Sequence, residues 1–315
     1  MTPSARSPHI AVLPRSVRPW VADAVEAGGG TIVDVSDAEA LVWTATGNEG
    51  GYTPSDLVAT LAGHPEIRWI QLPWAGVEPY AAAGVFDQAH VWTCGKGVYA
   101  RPVAEHALTL ALAGLRNLKP YCQARSWSGQ AGHSLVDSRV TIFGGGGITQ
   151  ELVGLLQPFR CRITVVRRHP ATMAGVAEVM GWADRDAALP GADAVFLALA
   201  LTPETDGFFG RRQLEAMAGH AWLVNVARGR HVVTDDLVVA LRDGTLGGAG
   251  LDVTEPEPLP DGHPLWELAN CLITPHTANT YEMAVPLLSA RIADNVRRYA
   301  AGEELVGLVD PELGY

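Results

Sequence analysis

The chain has 315 residues, a length that predicts either one large domain or two of medium size. Apolar residues make up 48% of the chain and charged residues 18%, so hydrophobic cores can form and extensive disorder is excluded. The formal net charge of -11 argues against a nucleic-acid-binding protein, which would need a basic surface to neutralise phosphates.

The four cysteines lie far apart in the sequence: Cys94, Cys122, Cys161 and Cys271. They form neither a CxxC pair nor a metal-ligand spacing with histidine, which is typical of reduced, mostly buried thiols in a cytoplasmic protein. The sequence shows no signal segment, which favours the same location. The longest apolar stretch, residues 102–118, contains three ionisable side chains and predicts a buried helix rather than a membrane span.

After a predicted loose polar end at residues 1–7, apolar segments alternate with amphipathic ones. The five predicted strands of the first half are 9–13, 31–35, 41–44, 67–72 and 90–93. The segments 17–27 and 54–63 between them have helical periodicity. Alternation of this kind indicates a parallel sheet with helices on both faces.

A second alternating series follows the predicted helix 102–118 and a polar linker. Its six predicted strands are 140–143, 163–166, 194–198, 222–225, 248–252 and 271–274. Six strands separated by helices are what a doubly wound dinucleotide-binding sheet requires. The last predicted helix, 282–301, could fold back onto the first half, and a cleft between two domains would be the natural ligand site.

We therefore predict an α/β protein with two doubly wound parallel-sheet domains. A flavodoxin-like substrate domain is expected from residues 1–100 and 283–315, and a Rossmann dinucleotide-binding domain from residues 101–282.

The first strand of the second series is followed directly by four glycines, residues 144–147, and a helix begins at Ile148. In a GxGxxG fingerprint the first glycine permits a tight turn and the second lets the backbone approach a pyrophosphate at the helix N-terminus. Gly144 and Gly146 fit these roles. Thr149 occupies the third position, so we expect the helix to lie slightly further from the strand. A purely structural turn is the alternative, but the strand–helix–strand context favours cofactor binding.

The second strand of this series ends without the carboxylate that usually binds the ribose 2′-hydroxyl of NAD. Arg167 and Arg168 stand there instead. Two guanidinium groups suit a 2′-phosphate, which arginine binds through parallel hydrogen bonds, although a solvated arginine pair is the alternative. The sequence therefore favours NADP(H), with NAD(H) possible.

Three polar segments follow later strands, at the carboxyl ends where open α/β sheets bind ligands, and they supply Arg228, Glu257 and His276. Reduction of a 2-keto acid needs a cation for the carboxylate and carbonyl, and a general acid for the carbonyl oxygen. Histidine suits the second task, and a neighbouring carboxylate can orient it. Taken singly, each residue has an equal alternative: Arg228 could be a surface ion-pair partner, Glu257 a solvated loop charge and His276 a packed core residue.

These segments resemble the D-isomer-specific 2-hydroxyacid dehydrogenases, which include glyoxylate/hydroxypyruvate reductases, over about residues 65–300. The matching text comprises residues 97–108, 201–205 and 252–260, together with Arg228 and Pro275–His276. The resemblance implies that Arg228 binds the substrate carboxylate and carbonyl and that His276 is the acid/base. Glu257, which precedes Pro258 in the matching stretch, would be its carboxylate partner in preference to Glu255.

The resemblance also implies a cofactor site, with Asp252 near the nicotinamide. The expected cofactor-binding residues are Gly144, Gly146, Gly147, Ile148, Arg167, Arg168, Thr202, Ala227, Asp252 and His276. No metal ligand is expected.

In the first domain, Trp74, Ala75 and Gly76 resemble the family's turn whose backbone N–H groups bind the substrate carboxylate. Ala75 and Gly76 suit this role because small residues let an anion approach the backbone. Trp74 is expected either to line the pocket or simply to pack, as buried aromatics commonly do. Asn279 stands where the family often has a small residue, so the pocket or the nicotinamide contact is expected to differ there.

The resemblance implies an NAD(P)-dependent reductase that converts a small 2-keto acid, such as glyoxylate or hydroxypyruvate, to the D-2-hydroxy acid. A cytoplasmic homodimer is expected, with the apolar helix 102–118 as a candidate interface or a core helix.

The alternative function is an NAD(H)-sensing corepressor of the same fold, which would need a partner-binding surface and long tails. No such tail is expected beyond Tyr315, and the set of Arg228, Glu257 and His276 favours catalysis. The same glutamate disfavours a formate-type dehydrogenase.

Overall fold

The computed structural model describes residues 6–46 and 49–314, with only the backbone of Glu49, so most of the predicted polar end lies outside the described residues. The chain divides into two compact units. The first consists of Met1–Tyr99 and Tyr281–Tyr315, and the second of Ala100–Thr280. Each unit is built on its own parallel sheet with flanking helices, which confirms the predicted fold class.

The first unit contains a five-stranded parallel sheet with the order β2-β1-β3-β4-β5. Its elements up to residue 99 are β1 (His9–Leu13), α1 (Trp20–Ala27), β2 (Thr31–Ile32), β3 (Ala40–Trp43), α2 (Pro54–Gly63), β4 (Trp69–Gln71), α3 (Glu78–Ala82) and β5 (Val91–Thr93). This strand order is that of flavodoxin-like sheets. The strand predicted at 31–35 ends already at Ile32, and a 3₁₀ turn at Val35–Asp37 follows two residues later.

The second unit contains a seven-stranded parallel sheet with the order β12-β11-β10-β9-β6-β7-β8. Its strands are β6 (Arg139–Phe143), β7 (Arg162–Arg167), β8 (Glu178–Gly181), β9 (Ala194–Leu197), β10 (Trp222–Asn225), β11 (Gly248–Leu251) and β12 (Cys271–Ile273). Its helices are α4 (Ala100–Leu115), α5 (Leu118–Gln123), α6 (Gly147–Leu156), α7 (Arg211–Ala216), α8 (Thr234–Asp243) and α9 (Pro264–Glu267). Counted from β6 as the first strand, β6 to β11 follow the dinucleotide-binding order 3-2-1-4-5-6. Strand β12 adds a seventh strand beside β11.

Two features of the second unit differ from the sequence prediction. Strand β8 was missed, because its sequence EVMG carries one β-branched residue and no aromatic, and only pairing with β7 makes it a strand. The helix predicted at 102–118 begins at Ala100 and ends at Leu115. Asn117 then adopts a left-handed backbone with φ 55°, and the separate helix α5 begins at Leu118.

The core of the second unit covers both faces of its sheet. Val140 and Ile142 of β6 pack on the side that also contains Leu110 of α4 and Leu152 of α6. Phe143 belongs to the cluster on the opposite side. Strands buried on both faces are held firmly, so the loops at their carboxyl ends start from fixed positions.

The last helix, α10 (Tyr281–Ala301), follows the second unit in sequence but belongs to the first. It packs against α1. Gly28 at the end of α1 permits this approach, because a Cβ atom there would lie 2.6 Å from the carbonyl oxygen of Ala293. The indole Nε1 of Trp20 donates to the hydroxyl of Tyr281 at 2.9 Å and ties the two helices together.

The four cysteines are free thiols: Cys94 and Cys271 are buried, Cys161 is half-buried and Cys122 is exposed. Within residues 6–46 and 49–314, every helix is too short or too polar to cross a membrane.

Candidate active site

The glycine loop joins β6 to α6 at the carboxyl end of the sheet. Gly144 has φ +114°, and a Cβ atom there would lie 2.1 Å from the carbonyl oxygen of Ala198, so this position requires glycine. Gly146 precedes the helix with an extended backbone, and a Cβ atom there would meet no atom within 4 Å. Gly147 and Ile148 begin α6, whose first N–H groups have no intrahelical partner. A tight turn followed by an open approach to free amides fits a dinucleotide pyrophosphate.

Thr149 stands where the fingerprint has its third glycine. Its side chain is completely buried, and its hydroxyl donates to the carbonyl of Gly144 at 3.1 Å. This bond closes the loop between its first glycine and the first turn of the helix. The threonine therefore has a hydrogen-bonding role that a glycine could not supply.

The two arginines after the second strand lie differently. Arg167 is the last residue of β7, and its side chain lies across the glycine loop: a Cβ atom on Gly145 would be 2.7 Å from Arg167 Nε and 2.9 Å from its Cδ. Arg168 is exposed on the following loop. A guanidinium packed on the glycine loop can reach a phosphate on the adjacent ribose. Gly145 was given no role from the sequence, yet it provides the space in which Arg167 lies.

Thr202 and Ala227 follow the neighbouring strands β9 and β10. The N–H of Thr202 donates to the hydroxyl of Thr205 at 2.8 Å, which forms a tight turn. The N–H of Ala227 donates to Oδ1 of Asn225 at 3.0 Å, and Ala227 is buried. Both predicted cofactor residues thus lie at the same edge of the sheet as the glycine loop.

Arg228 follows β10 on extended backbone, with φ -144° and ψ 145°. Its N–H donates to Nδ1 of His231 at 3.2 Å, and its carbonyl accepts from Nδ2 of Asn225 at 2.8 Å. Its guanidinium donates to the carbonyl of Ala227 at 2.7 Å. His231 is fully buried, and burial lowers its pKa below the ordinary value, which favours the neutral ring that accepts this N–H.

Gly229 lets the Arg228 loop touch the loop that follows β11. A Cβ atom on Gly229 would lie 1.9 Å from the carbonyl oxygen of Thr254. Since Thr254 stands three residues before Glu257, this close backbone contact fixes the arginine loop against the glutamate loop.

The structure brings Glu257 and His276 together. Nδ1 of His276 lies 2.7 Å from Oε1 of Glu257, and the two side chains are 53% and 40% exposed. His276 has φ +52°, a left-handed conformation that residues with a Cβ seldom adopt. The imidazole is therefore oriented by a carboxylate and remains accessible to a small molecule.

Asp252, expected beside the nicotinamide, holds the loop that carries His276. Its carboxylate is 2% exposed and accepts from the N–H of Thr277 at 2.9 Å and the N–H of Ala278 at 3.1 Å. Its backbone carbonyl accepts from the N–H of His276 at 2.8 Å. Burial by itself would raise the pKa of Asp252, but hydrogen bonds from His106, from a threonine hydroxyl and from these amides outweigh it, and the pKa is lowered. The carboxylate is thus ionised and engaged on both oxygens.

Sequence reasoning missed the residues that surround Asp252. Thr274 donates its hydroxyl hydrogen to Asp252 Oδ1 at 2.6 Å, and Nε2 of His106 lies 2.9 Å from that hydroxyl. His106 lies within a segment that carried the family resemblance, and a histidine on an otherwise apolar helix was the available signal. The sequence could not say which later residue it would contact.

The predicted carboxylate-binding turn, Trp74 to Gly76, connects β4 to α3 in the first unit. The Trp74 ring packs 5.9 Å from that of Tyr99, and the guanidinium carbon of Arg18 lies 4.8 Å from the Trp74 ring centre. Ala75 is exposed. The structure therefore shows packing for Trp74, while the binding role of this turn stays a prediction.

Asn279 lies three residues beyond His276 and is partly buried. Its Oδ1 atom is buried and has no hydrogen-bond partner among the described residues. Residues 6–46 and 49–314 contain no cluster of three or more His, Cys, Asp or Glu side chains that could hold a metal ion.

A doubly wound parallel sheet with a glycine loop after its first strand, and an oriented histidine after its last, is typical of nicotinamide-dependent oxidoreductases. Residues 107–278 match the sequence profile described as D-isomer specific 2-hydroxyacid dehydrogenase, NAD binding domain. The chain belongs to the D-isomer-specific 2-hydroxyacid dehydrogenase family, as the resemblance predicted. A nicotinamide cofactor and a small hydroxy or keto acid substrate follow from this membership.

Similar proteins span most of the chain. A Corynebacterium melassecola protein, named only as an uncharacterised protein in the proB 3′ region, is 35% identical over 93% of this chain and 95% of its own length. Glyoxylate/hydroxypyruvate reductase A of Serratia proteamaculans is 34% identical over 69% of each chain. The crystal structure of a D-isomer specific 2-hydroxyacid dehydrogenase from Xanthobacter autotrophicus Py2, in complex with NADPH and MES, is 25% identical with a TM-score of 0.84, covering 98% of this chain and 100% of that one.

Proposed function

We propose that the protein uses NADPH to reduce small 2-keto acids of the glyoxylate and hydroxypyruvate type to the D-2-hydroxy acid. The observation that carries this proposal is the 2.7 Å contact between His276 Nδ1 and Glu257 Oε1. Arg228 follows β10, Glu257 follows β11 and His276 follows β12, and these three strands are successive neighbours in the sheet. A cation, a carboxylate and a histidine therefore lie after the carboxyl ends of adjacent strands. Keto acid reduction needs these three kinds of group.

The histidine–glutamate contact assigns a task to each nitrogen of the ring. Glu257 accepts the hydrogen on Nδ1, which orients the imidazole and stabilises its positive charge when it is protonated. Nε2 is then the nitrogen that gives its proton to the carbonyl oxygen of the substrate. The bound cofactor supplies the hydride that the carbonyl carbon receives.

Arg228 binds the substrate carboxylate in this proposal. A guanidinium matches a carboxylate with two parallel hydrogen bonds and also polarises the neighbouring carbonyl. The bonds from its backbone to His231 and Asn225 fix the start of the side chain. Such support reduces the freedom that would be lost on binding.

The NADPH preference is supported by Arg167, whose side chain lies on Gly145 of the glycine loop. An arginine at the end of the second strand suits a 2′-phosphate, whereas an acidic residue there would suit the NAD ribose. The similar Xanthobacter protein was crystallised with NADPH. Arg168, Thr202, Ala227 and Asp252 complete the proposed cofactor site from neighbouring strand ends.

The first unit is the substrate domain in this proposal and the second unit is the nucleotide-binding domain. Within the first unit we propose the turn of Trp74, Ala75 and Gly76 as the substrate-binding segment, whose backbone N–H groups can bind a carboxylate. We also propose that the protein acts as a homodimer, and sedimentation of the purified protein tests that assembly.

A steady-state assay tests the function. Glyoxylate, hydroxypyruvate and pyruvate are each supplied with NADPH and with NADH, and the glycerate formed from hydroxypyruvate is resolved on a chiral column. We expect D-glycerate, and a kcat/KM with NADPH at least ~10-fold above that with NADH, as loss of a charged hydrogen bond implies. L-glycerate, or no turnover of any of these acids by protein that binds NADPH, contradicts the proposal.

A further inference from the structure

His106 lies outside the proposed catalytic set but touches the residues that hold His276. It is on α4, and its side chain is 20% exposed. Its Nε2 atom lies 2.9 Å from the hydroxyl of Thr274 and 3.4 Å from Asp252 Oδ1. A helix that precedes the sheet in sequence thus reaches the loop after its last strand.

Hydrogen-bond chemistry fixes the direction of these contacts. An ionised carboxylate only accepts, so the single hydroxyl hydrogen of Thr274 points at Asp252 Oδ1, 2.6 Å away. The hydroxyl oxygen can then only accept from His106, whose Nε2 must carry a hydrogen. His106 therefore acts as a donor to the pair formed by Thr274 and Asp252.

The Asp252 carboxylate, at the centre of this network, holds the loop that carries His276. Its two oxygens accept from the N–H groups of Thr277 and Ala278, directly after His276. His276 itself is held at φ +52°, which persists only where surrounding contacts determine it. Rotation of the Asp252 carboxylate would break its bonds to these two amides, which directly follow His276 in the loop.

A buried carboxylate needs donors to stay charged. Among its described partners, His106 is the titratable group that faces Asp252 from a packed element, and its bond lowers the pKa of the carboxyl against the opposing effect of burial. Without that bond the carboxyl would take up a proton at a higher pH. A protonated carboxyl has an O–H of its own to place and one acceptor site fewer for the loop amides.

We propose that His106 is a positioning residue, which holds the Asp252 carboxylate through Thr274 and thereby fixes the loop that presents His276. The inference rests on the proposed role of His276 as the acid. His106 touches neither substrate nor cofactor in this scheme, so its effect passes through the loop.

The test compares His106→Ala with His106→Gln, which keeps an N–H donor near the position of Nε2. Glu105→Gln is the matched control, because it is exposed on the same helix. We expect His106→Ala to lower kcat by ~10- to 100-fold, as loss of a hydrogen bond in a charged network implies, with little change in KM or NADPH affinity. The acid limb of its pH–rate profile should move to higher pH, and His106→Gln should restore most of the rate.

Amide hydrogen exchange gives a readout that does not depend on activity. The N–H groups of Thr277 and Ala278 should exchange faster in His106→Ala and at the wild-type rate in Glu105→Gln. Thr274→Val, which removes the connecting hydroxyl, should reproduce both effects and replaces His106→Ala if that variant does not fold. Unchanged exchange and kcat in folded variants overturn the inference, as does a loss of rate with an unshifted pH profile. Faster exchange in a protein that reduces no 2-keto acid would refute the proposed function while leaving the positioning role intact.

Discussion

Nδ1 of His276 lies 2.7 Å from Oε1 of Glu257, and the two residues approach each other from loops that follow the neighbouring strands β12 and β11. Both side chains remain substantially exposed, so the contact is available to a ligand rather than buried in a core. An oriented and accessible imidazole is the arrangement expected of a general acid.

Replacement of either member of this pair should affect kcat more than binding. His276→Gln removes the proton donor and should lower kcat by ~10²- to 10⁴-fold, the usual contribution of general acid catalysis. Glu257→Gln keeps the shape but loses the charge that stabilises the protonated imidazole, and should lower kcat by ~10- to 100-fold. NADPH affinity, measured by fluorescence titration, should stay close to that of the wild type in both variants.

Glu255→Gln is the control for this pair, because Glu255 is exposed two residues before Glu257 on the same loop. It should leave kcat unchanged. Near-normal turnover of His276→Gln, or equal losses in the variants at 255 and 257, would refute the assignment.

Arg167 should determine the choice between the two nicotinamide cofactors. Arg167→Ala removes a charged partner of the 2′-phosphate and should raise the Kd for NADPH by ~10- to 100-fold, with little effect on NADH. Arg162→Ala is the control, because Arg162 is exposed at the other end of the same strand. A parallel loss of affinity for both cofactors would mean that Arg167 only supports the glycine loop.

Gly145→Ala tests the same contact sterically. The added Cβ atom would lie 2.7 Å from Arg167 Nε, so the flexible guanidinium must move while the backbone can stay. We expect a raised Kd for NADPH with little loss of thermal stability. Calorimetry and fluorescence titration measure the two quantities, and an unchanged NADPH affinity would show that the position of the guanidinium is unimportant.

Gly229→Ala should damage the site through the backbone. The new Cβ atom would lie 1.9 Å from the carbonyl oxygen of Thr254, which is main chain and cannot rotate away. We expect a loss of ~1–3 kcal/mol in the free energy of unfolding, as overpacking usually causes, and a raised KM for the keto acid because Arg228 is displaced. Gly219→Ala is the control, since its nearest neighbour would be 4.0 Å away. Urea denaturation with the wild-type midpoint for Gly229→Ala would contradict this account.

The sequence was informative where a local pattern has a physical meaning of its own. The turn at Gly144 follows from the conformational preference of glycine, and most strands and helices follow from hydrophobic periodicity. The resemblance added the protein family. Strand β8 was not predictable because its strand state depends on pairing with β7. The contacts of Arg167 with the glycine loop and of His106 with Thr274 join residues 22 and 168 positions apart, and no local signal encodes such contacts.

His231 should make the stability of the protein depend on pH. The side chain is fully buried, and burial lowers its pKa below the ordinary value of 6.5. As the pH falls through about 6.5, the unfolded chain binds a proton that the folded protein still excludes, so the free energy of unfolding decreases until the lower folded pKa is reached. Above about 6.5 the ring is neutral in both states and this contribution is complete.

The measurement is the free energy of unfolding at several pH values between about 7.5 and 5.5, where one excluded proton contributes a slope of at most ~1.4 kcal/mol per pH unit. His231→Gln loses the titrating group, so its overall stability should be lower but its slope flatter than that of the wild type. His169→Gln, at an exposed loop histidine, should keep the wild-type slope. If His231→Gln retains the full slope, the acid sensitivity comes from other groups. Since the neutral ring also accepts the N–H of Arg228, KM for the keto acid should stay constant over the range in which stability falls, and should rise only at the lower pH where the folded protein itself binds the proton.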